Sequence, residues 1–228
     1  MKPVQLVLLV EGEGDRQAAP VLIKRLLRER DAQDTLVVAP HPIAVGDLSG
    51  LRKSNYQEWR RLIEISLRNR RMEACLLLLD GDEPPVTGKP FCARESALEL
   101  IGIAKERGAG HRFSLAVVFA CMEFESWLIA GIGSLTGKDL IDKAVVIPSN
   151  FKLPVNIETA PRDAKKYLHR MLSGYRPTRH QAMLTEMVDL NTIREQNMRS
   201  FRRLENALDE MILAIREGRH VASPIVKP

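Results

Sequence analysis

The chain has 228 residues, with 34 Lys+Arg against 29 Asp+Glu for a net charge of +5, and three cysteines. That length buries a sizeable core without staples, and Cys75, Cys92 and Cys121 form no CxxC pair, which argues against a disulfide framework and a structural zinc site. No apolar run reaches the ~18 residues of a membrane span, and the first one is short and followed directly by acids, unlike a secretory signal, so a cytoplasmic location without membrane contact is expected.

Residues 4–10 are apolar after Gln5 and read as a strand covered on both faces. Residues 15–30 carry Val21, Leu22, Leu26 and Leu27 at helical spacing, and 35–39 form a short strand stopped by Pro40 and Pro42. Over 54–70, Tyr56, Trp59, Ile63 and Leu67 fall on one helical face, with Ser54 and Gln57 placed as a capping box. A strand at 75–79, a helix over 91–107, a strand at 113–120 and a short helix over 123–130 follow. From Gly131 the strand signal fades. A stretch with Pro148, Pro154 and Pro161 leads into helices near 162–173 and 178–188. A last helix over 201–215 has Phe201, Leu204, Leu208, Met211 and Ile215 on one stripe, and 222–228 read as a loose tail.

Strand and helix alternating four times imply βαβ units, hence an α/β fold whose mostly parallel sheet has helices on both faces. Residues 1–130 are expected to form that domain, and 131–228 a mainly helical extension packed on it.

In such a sheet, ligands bind beyond the carboxyl ends of the strands. Three predicted strands end in acids: Glu11, with Glu13 and Asp15 close behind; Asp80 and Asp82; Glu123 and Glu125. Singly, each has a structural explanation. Asp15 can cap a helix, Asp80-Gly81 and Pro84-Pro85 form turns, and Glu123 and Glu125 suit a helix first turn. Converging on one sheet edge, however, carboxylates raise one another's pKa unless a cation neutralises them. An all-oxygen donor set favours Mg²⁺ or Mn²⁺. The spacing of Asp80 and Asp82 lets both face one side of an extended segment, and Gly12 and Gly81 leave room for a close ligand. Basic runs at 24–30, 68–71 and 199–203 suit a polyanion held over such a site, although each alone reads as a solvated helix face.

The stretches LLVEGEGD and LLLLDGDEPP resemble the two signatures of the Toprim domain, which topoisomerases, bacterial primases and the overcoming-lysogenization-defect (OLD) nucleases share. Together with ACMEFESWLIA and the late SFRRL they also resemble a bacterial Toprim-like family, domain of unknown function 4276, over nearly the whole chain. The resemblance implies a Toprim-like, Rossmann-like fold. It makes Glu11 a metal ligand or acid/base group, and Asp80 and Asp82 metal ligands. Asp15 falls where OLD-type nucleases carry a second acid, with Asp here where many have Glu, and Glu125 is a further candidate ligand. Such nucleases work beside or fused to ABC-class ATPases; this chain has no Walker motif, so an ATPase would be a separate partner.

Topoisomerase chemistry needs a tyrosine on a separate domain and a strand gate, and Tyr56, Tyr167 and Tyr175 sit in or beside helices of a chain too short for one. A primase would normally bring a zinc module, which the cysteines exclude. The economical reading is a Mg- or Mn-dependent nuclease, in a bacterial defence (phage defence) or DNA-repair system. The alternative is a catalytically silent, nucleic-acid-binding or scaffold subunit of an ATPase-containing complex. Lys165 and Lys166 read first as a solvated helix face, but one of them could neutralise charge on a scissile phosphate, and Lys165 joins Glu11, Asp80 and Asp82 as a catalytic candidate. Arg199, Arg202, Arg203 and His180 are candidates for nucleic-acid contact, and a homodimer is compatible with the chain. Trp59 and Trp127 lie on apolar stripes and read as core. GSLTGK at 133–138 lacks the phosphate-loop pattern and a preceding strand.

Overall fold

The computed structural model describes residues 2–70, 72–83, 90–149, 151–159 and 162–225, apart from the side chains of 69 and 70. Arg71 of the basic run at 68–71, Pro84 and Pro85 of the DGDEPP turn, Pro161 and the end of the tail (226–228) lie outside the described residues.

One sheet contains β1 (Val4–Val10), β2 (Leu36–Val38), β3 (Ile43–Ala44), β4 (Ala74–Asp80), β5 (Ser114–Ala120) and β6 (Ala222–Ser223). Its order is β2-β1-β4-β5-β6, with β3 also beside β1, and every described pairing is parallel. Val10 pairs with Leu78, and Asp80 with Ala120, so the carboxyl ends of β1, β4 and β5 are nearly level.

The strands are continuously apolar because both faces are covered. Leu6, Leu8, Val10, Leu76, Leu78 and Val118 face a core shared with α1 (Glu13–Glu29) and with the helices that follow β5. Val7, Leu9, Leu77 and Val117 face the other core, under α2 (Leu48–Arg70) and α3 (Ala93–Lys105). The fold is therefore α/β with helices on both faces of a parallel sheet. The chain leaves β1 for β2 on one side and later returns past it to β4 on the other, so the β1–β4 boundary is the topological switch point of the sheet.

After β5 come α4 (Glu125–Gly131), a 3-10 turn (Ile132–Leu135), α5 (Ala164–Met171), α6 (Pro177–Met187), α7 (Leu190–Glu195) and α8 (Arg199–Arg216). Helix α6 packs along α1, and α8 lies across β5. Leu168, Leu184, Phe201, Leu208 and Ile215 thus join the first core.

Several local expectations differ. The helix expected from Ser54 is preceded by a helical stretch from Leu48, where the Glu83 carboxylate accepts from Ser49 N (3.2 Å) and Ser49 Oγ (3.0 Å). It breaks where the capping box was placed: Lys53 is extended, and Ser54, Asn55 and Tyr56 have φ of 50°, 54° and 62°. Helical spacing after the break still holds, since Trp59 and Ile63 are buried. Strands β3 and β6 are two residues each, too short for any periodicity. Residues 222–223, expected in a loose tail, are a strand because β5 offers them a free edge. Helix α7 is short and starts at Asp189, whose side chain accepts from Asn191 N.

Candidate active site

Glu11 follows β1 directly, and its Oε2 accepts a hydrogen bond from the backbone N of Asp80 at 2.9 Å. That one contact joins the ends of β1 and β4 across the switch point. Asp80 is nearly fully buried. Its Oδ1 accepts from Phe124 N (3.0 Å), and its Oδ2 lies 2.8 Å from Lys165 Nζ. The same ammonium stands 3.2 Å from Glu123 Oε1, while Glu123 Oε2 accepts from Lys165 N at 2.8 Å, so Glu123 also caps α5.

Two inner carboxyls complete the cluster. Asp15, in the first turn of α1, accepts from Gly12 N at 3.1 Å and from Gln181 Nε2 of α6 at 2.8 Å. It does cap its helix, but its second oxygen is committed to another element. Glu125 is fully buried; Tyr175 OH donates to its Oε1 at 3.2 Å, and its Oε2 has no partner among the described residues. Asp82 stands exposed at the rim.

Local backbone geometry sets these positions. Gly81 donates to Met122 O at 2.9 Å, and Met122 has the uncommon φ of 64°, a conformation that persists only where its surroundings impose it. A Cβ at Gly81 would lie 2.7 Å from Ala120 O. The glycine thus admits the neighbouring strand rather than a ligand. A Cβ at Gly12 would meet only Asp15 Oδ2, at an ordinary 3.6 Å. Gly14 is different: a Cβ there would fall 2.1 Å from Gln181 Oε1, so its bareness seats the glutamine that holds Asp15.

The electrostatics follow from six carboxyls gathered around one ammonium. Burial pushes Glu11 up to about 7, tempered by the Asp80 N–H and Lys165 and raised further by Asp82 and Asp15. Burial likewise lifts Glu125 to about 8, with Lys165 opposing, and raises Asp15 against the Gln181 bond. Asp82 is raised by partial desolvation and then by Glu123. Burial works against the Lys165 charge, but Asp80, Glu125 and Glu123 outweigh it and hold the ammonium protonated. Asp80 is pushed up by burial, Asp15 and Glu11, and pulled down by Lys165.

Glu11, Asp15, Asp80, Asp82, Glu125 and Lys165 thus belong to one electrostatic cluster at the carboxyl end of the sheet. The basic candidates do not form one group. Arg199 is exposed and near Cys121, just beyond β5. Arg202 is exposed and donates to Asn197 O. Arg203 is paired with Glu210 and Ser223. His180 is buried: its Nδ1 accepts from Arg176 N at 2.8 Å and its Nε2 lies 3.1 Å from Asp142. Glu123 and Gln181 are the members that sequence reasoning gave no role; Glu123 at least carried a signal as a strand-end acid, Gln181 none. Trp59 and Trp127 are core, their indoles donating to Leu100 O and Ser200 Oγ.

The chain is similar to the C-terminal region of the Burkholderia pseudomallei OLD protein, with 17% identity, a TM-score of 0.46, and coverage of 96% of this chain and 99% of that one. No curated protein matches it. The family described as Domain of unknown function (DUF4276) matches residues 10–209, and the chain therefore belongs to that family.

Proposed function

We propose that the protein is a Mg²⁺- or Mn²⁺-dependent nuclease of Toprim type, hydrolysing phosphodiester bonds of DNA or RNA. The observation that carries this reading is the Glu11–Asp80 junction at the switch point, surrounded by Asp15, Asp82, Glu123 and Glu125, with Lys165 as the cluster's counter-ion. The order of EG and DxD along the chain supports it further.

A divalent cation fits the donor chemistry. All the groups are carboxylates, burial raises the pKa values of Glu11 and Glu125, and Glu125 Oε2 is buried without a partner among the described residues. Among the described residues, no three acidic, histidine or cysteine groups are drawn together closely enough to hold an ion as they stand. Glu11, Asp80 and Asp82 would hold it, with Asp15 at its edge. A bound Mg²⁺ or Mn²⁺ would polarise the phosphate and lower the pKa of water.

The chain's own groups do the rest. Glu11, raised to about 7 in the ion-free site, would give up its proton near neutral pH on becoming a ligand, or move protons there where Asp80 and Asp82 alone hold the ion. Lys165 reaches solvent with 38% of its side chain exposed, and can place its charge against a phosphate oxygen. Arg199 and Arg202, exposed at the start of α8, would meet the backbone of a bound strand. The pairing of Lys165 with Asp80 and Glu123 also favours a second reading, a self-neutralised nucleic-acid-binding subunit beside a separate ABC-class ATPase.

The test compares Glu11→Gln and Asp80→Asn with wild type, in Mn²⁺ and with any ATPase partner present, on DNA and on RNA. Loss of cleavage by both folded variants supports the nuclease; full function of both supports the silent subunit.

A further inference from the structure

We propose a second ligand site at the amino-terminal end of the sheet, for a small molecule that carries a di- or triphosphate group. A cavity of about 470 Å³ opens there between the end of α2 and the turn joining α3 to β5. Chain segments entering β4 and β5 line it, whereas the carboxylates stand where those strands end. Seven-residue strands put roughly 20 Å between the two places.

Four cations line the cavity, against two acids. Both acids are already engaged: Glu64 with Arg107 at 2.5 Å, and Glu106 with Arg60 at 3.1 Å. Arg68, Lys105 and Arg112 remain, all exposed and without an ionic or hydrogen-bonding side-chain partner among the described residues. Helix C-termini attract basic residues, which accounts for Arg68 on α2 and Lys105 on α3. It does not account for Arg112, which lies beyond both helices. A left-handed Gly108 (φ +98°) seats that arginine, for a Cβ there would fall 2.7 Å from Arg112 Cδ.

Three like charges lining one hollow repel unless an anion joins them, and two guanidinium forks match phosphate oxygens geometrically. Leu67 adds an apolar wall from the second core. The volume lies in the range of small-ligand sites, and the remote placement separates this ligand from any substrate of the carboxylates.

Calorimetric titration of the full chain with ADP and with inorganic pyrophosphate, in EDTA so that no cation bridges phosphate to carboxylates, tests the proposal. Binding should weaken about tenfold or more in Arg68→Ala/Arg112→Met, which removes two charge-assisted contacts, and stay unchanged in Asp80→Asn. Both charges are exposed, and the methionine keeps the stem on Gly108; circular dichroism confirms the fold. No binding by wild type, or equal binding by the double variant, overturns the proposal and leaves a solvated basic rim. A single-stranded oligonucleotide that binds through the same residues more tightly than ADP also overturns it, by identifying nucleic-acid backbone as the occupant.

Discussion

The Lys165 ammonium stands 2.8 Å from Asp80, and it is the cation through which the strand-end acids are tied to α5. It supplies, from a helix in the second half of the chain, the charge that the carboxylates cannot supply for themselves.

Replacing Lys165 with Met should therefore have two opposite effects. The apo fold should lose about 1–3 kcal/mol, less than a fully buried pair because the ammonium reaches solvent. Affinity for Mn²⁺ should rise, since the competing charge is gone, while cleavage falls. Melting curves and calorimetry with and without Mn²⁺ read both. A variant that binds the ion more weakly would show that Lys165 supports the site by some route other than charge.

Glu125 gives a pH signature. Its folded pKa of about 8 lies above the unfolded value of 4.5, so between these the folded state binds more protons than the unfolded one. Stability must then fall as pH rises through that window, and Glu11, raised to about 7, acts in the same direction. In EDTA, wild type should lose on the order of 4–7 kcal/mol between pH 5 and pH 8.5. Glu125→Gln, which keeps the Tyr175 contact without titrating, should flatten the profile. A stability that climbs over this range would rule out the buried, uncharged carboxyl.

The strands and the acids at their ends were legible because a doubly covered strand is apolar throughout and any charge marks its exit. The break at 53–56 was not, for Ser54 and Gln57 offer sound capping chemistry and the tertiary hold on Ser49 comes from Glu83, far along the chain. Lys165 was legible only as a candidate on a charged helix, since nothing local tells a lysine facing solvent from one facing Asp80. Gln181 carried no signal. Its role depends on α6 packing along α1, a contact between segments more than 160 residues apart.

Two glycines within helices should behave oppositely. At Gly102 of α3 nothing among the described residues lies within 4 Å of a new Cβ, so Gly102→Ala should stabilise by about 0.5–1 kcal/mol through helix propensity. Gly14→Ala places a methyl 2.1 Å from Gln181 Oε1. Displacing the glutamine loses the Asp15 bond and opens the α1–α6 contact, so a net loss of about 1–3 kcal/mol is expected. Urea titrations distinguish the two, and equal stabilisation would mean that Gln181 does not hold Asp15.

Gly81 sets how closely the ends of β4 and β5 approach, and that approach is what lets Asp80 take the Phe124 N–H. In Gly81→Ala the new Cβ would lie 2.7 Å from Ala120 O, which is backbone of a central strand and cannot swing aside. The strand ends must part, at a cost of about 2 kcal/mol or more. The Phe124 bond, the Lys165 pair and the Glu11 bond to Asp80 N all converge on Asp80, so a shift there loosens the whole cluster. Metal-dependent cleavage should fall with it, even at temperatures where the variant is folded. Gly12→Ala, whose Cβ meets only an ordinary contact, should keep most of the activity. Measuring both variants in Mn²⁺ separates the two roles. If Gly81→Ala cleaves like wild type while Gly12→Ala does not, the glycine that matters is the one beside Glu11, and room for a ligand rather than strand approach is what the motif preserves.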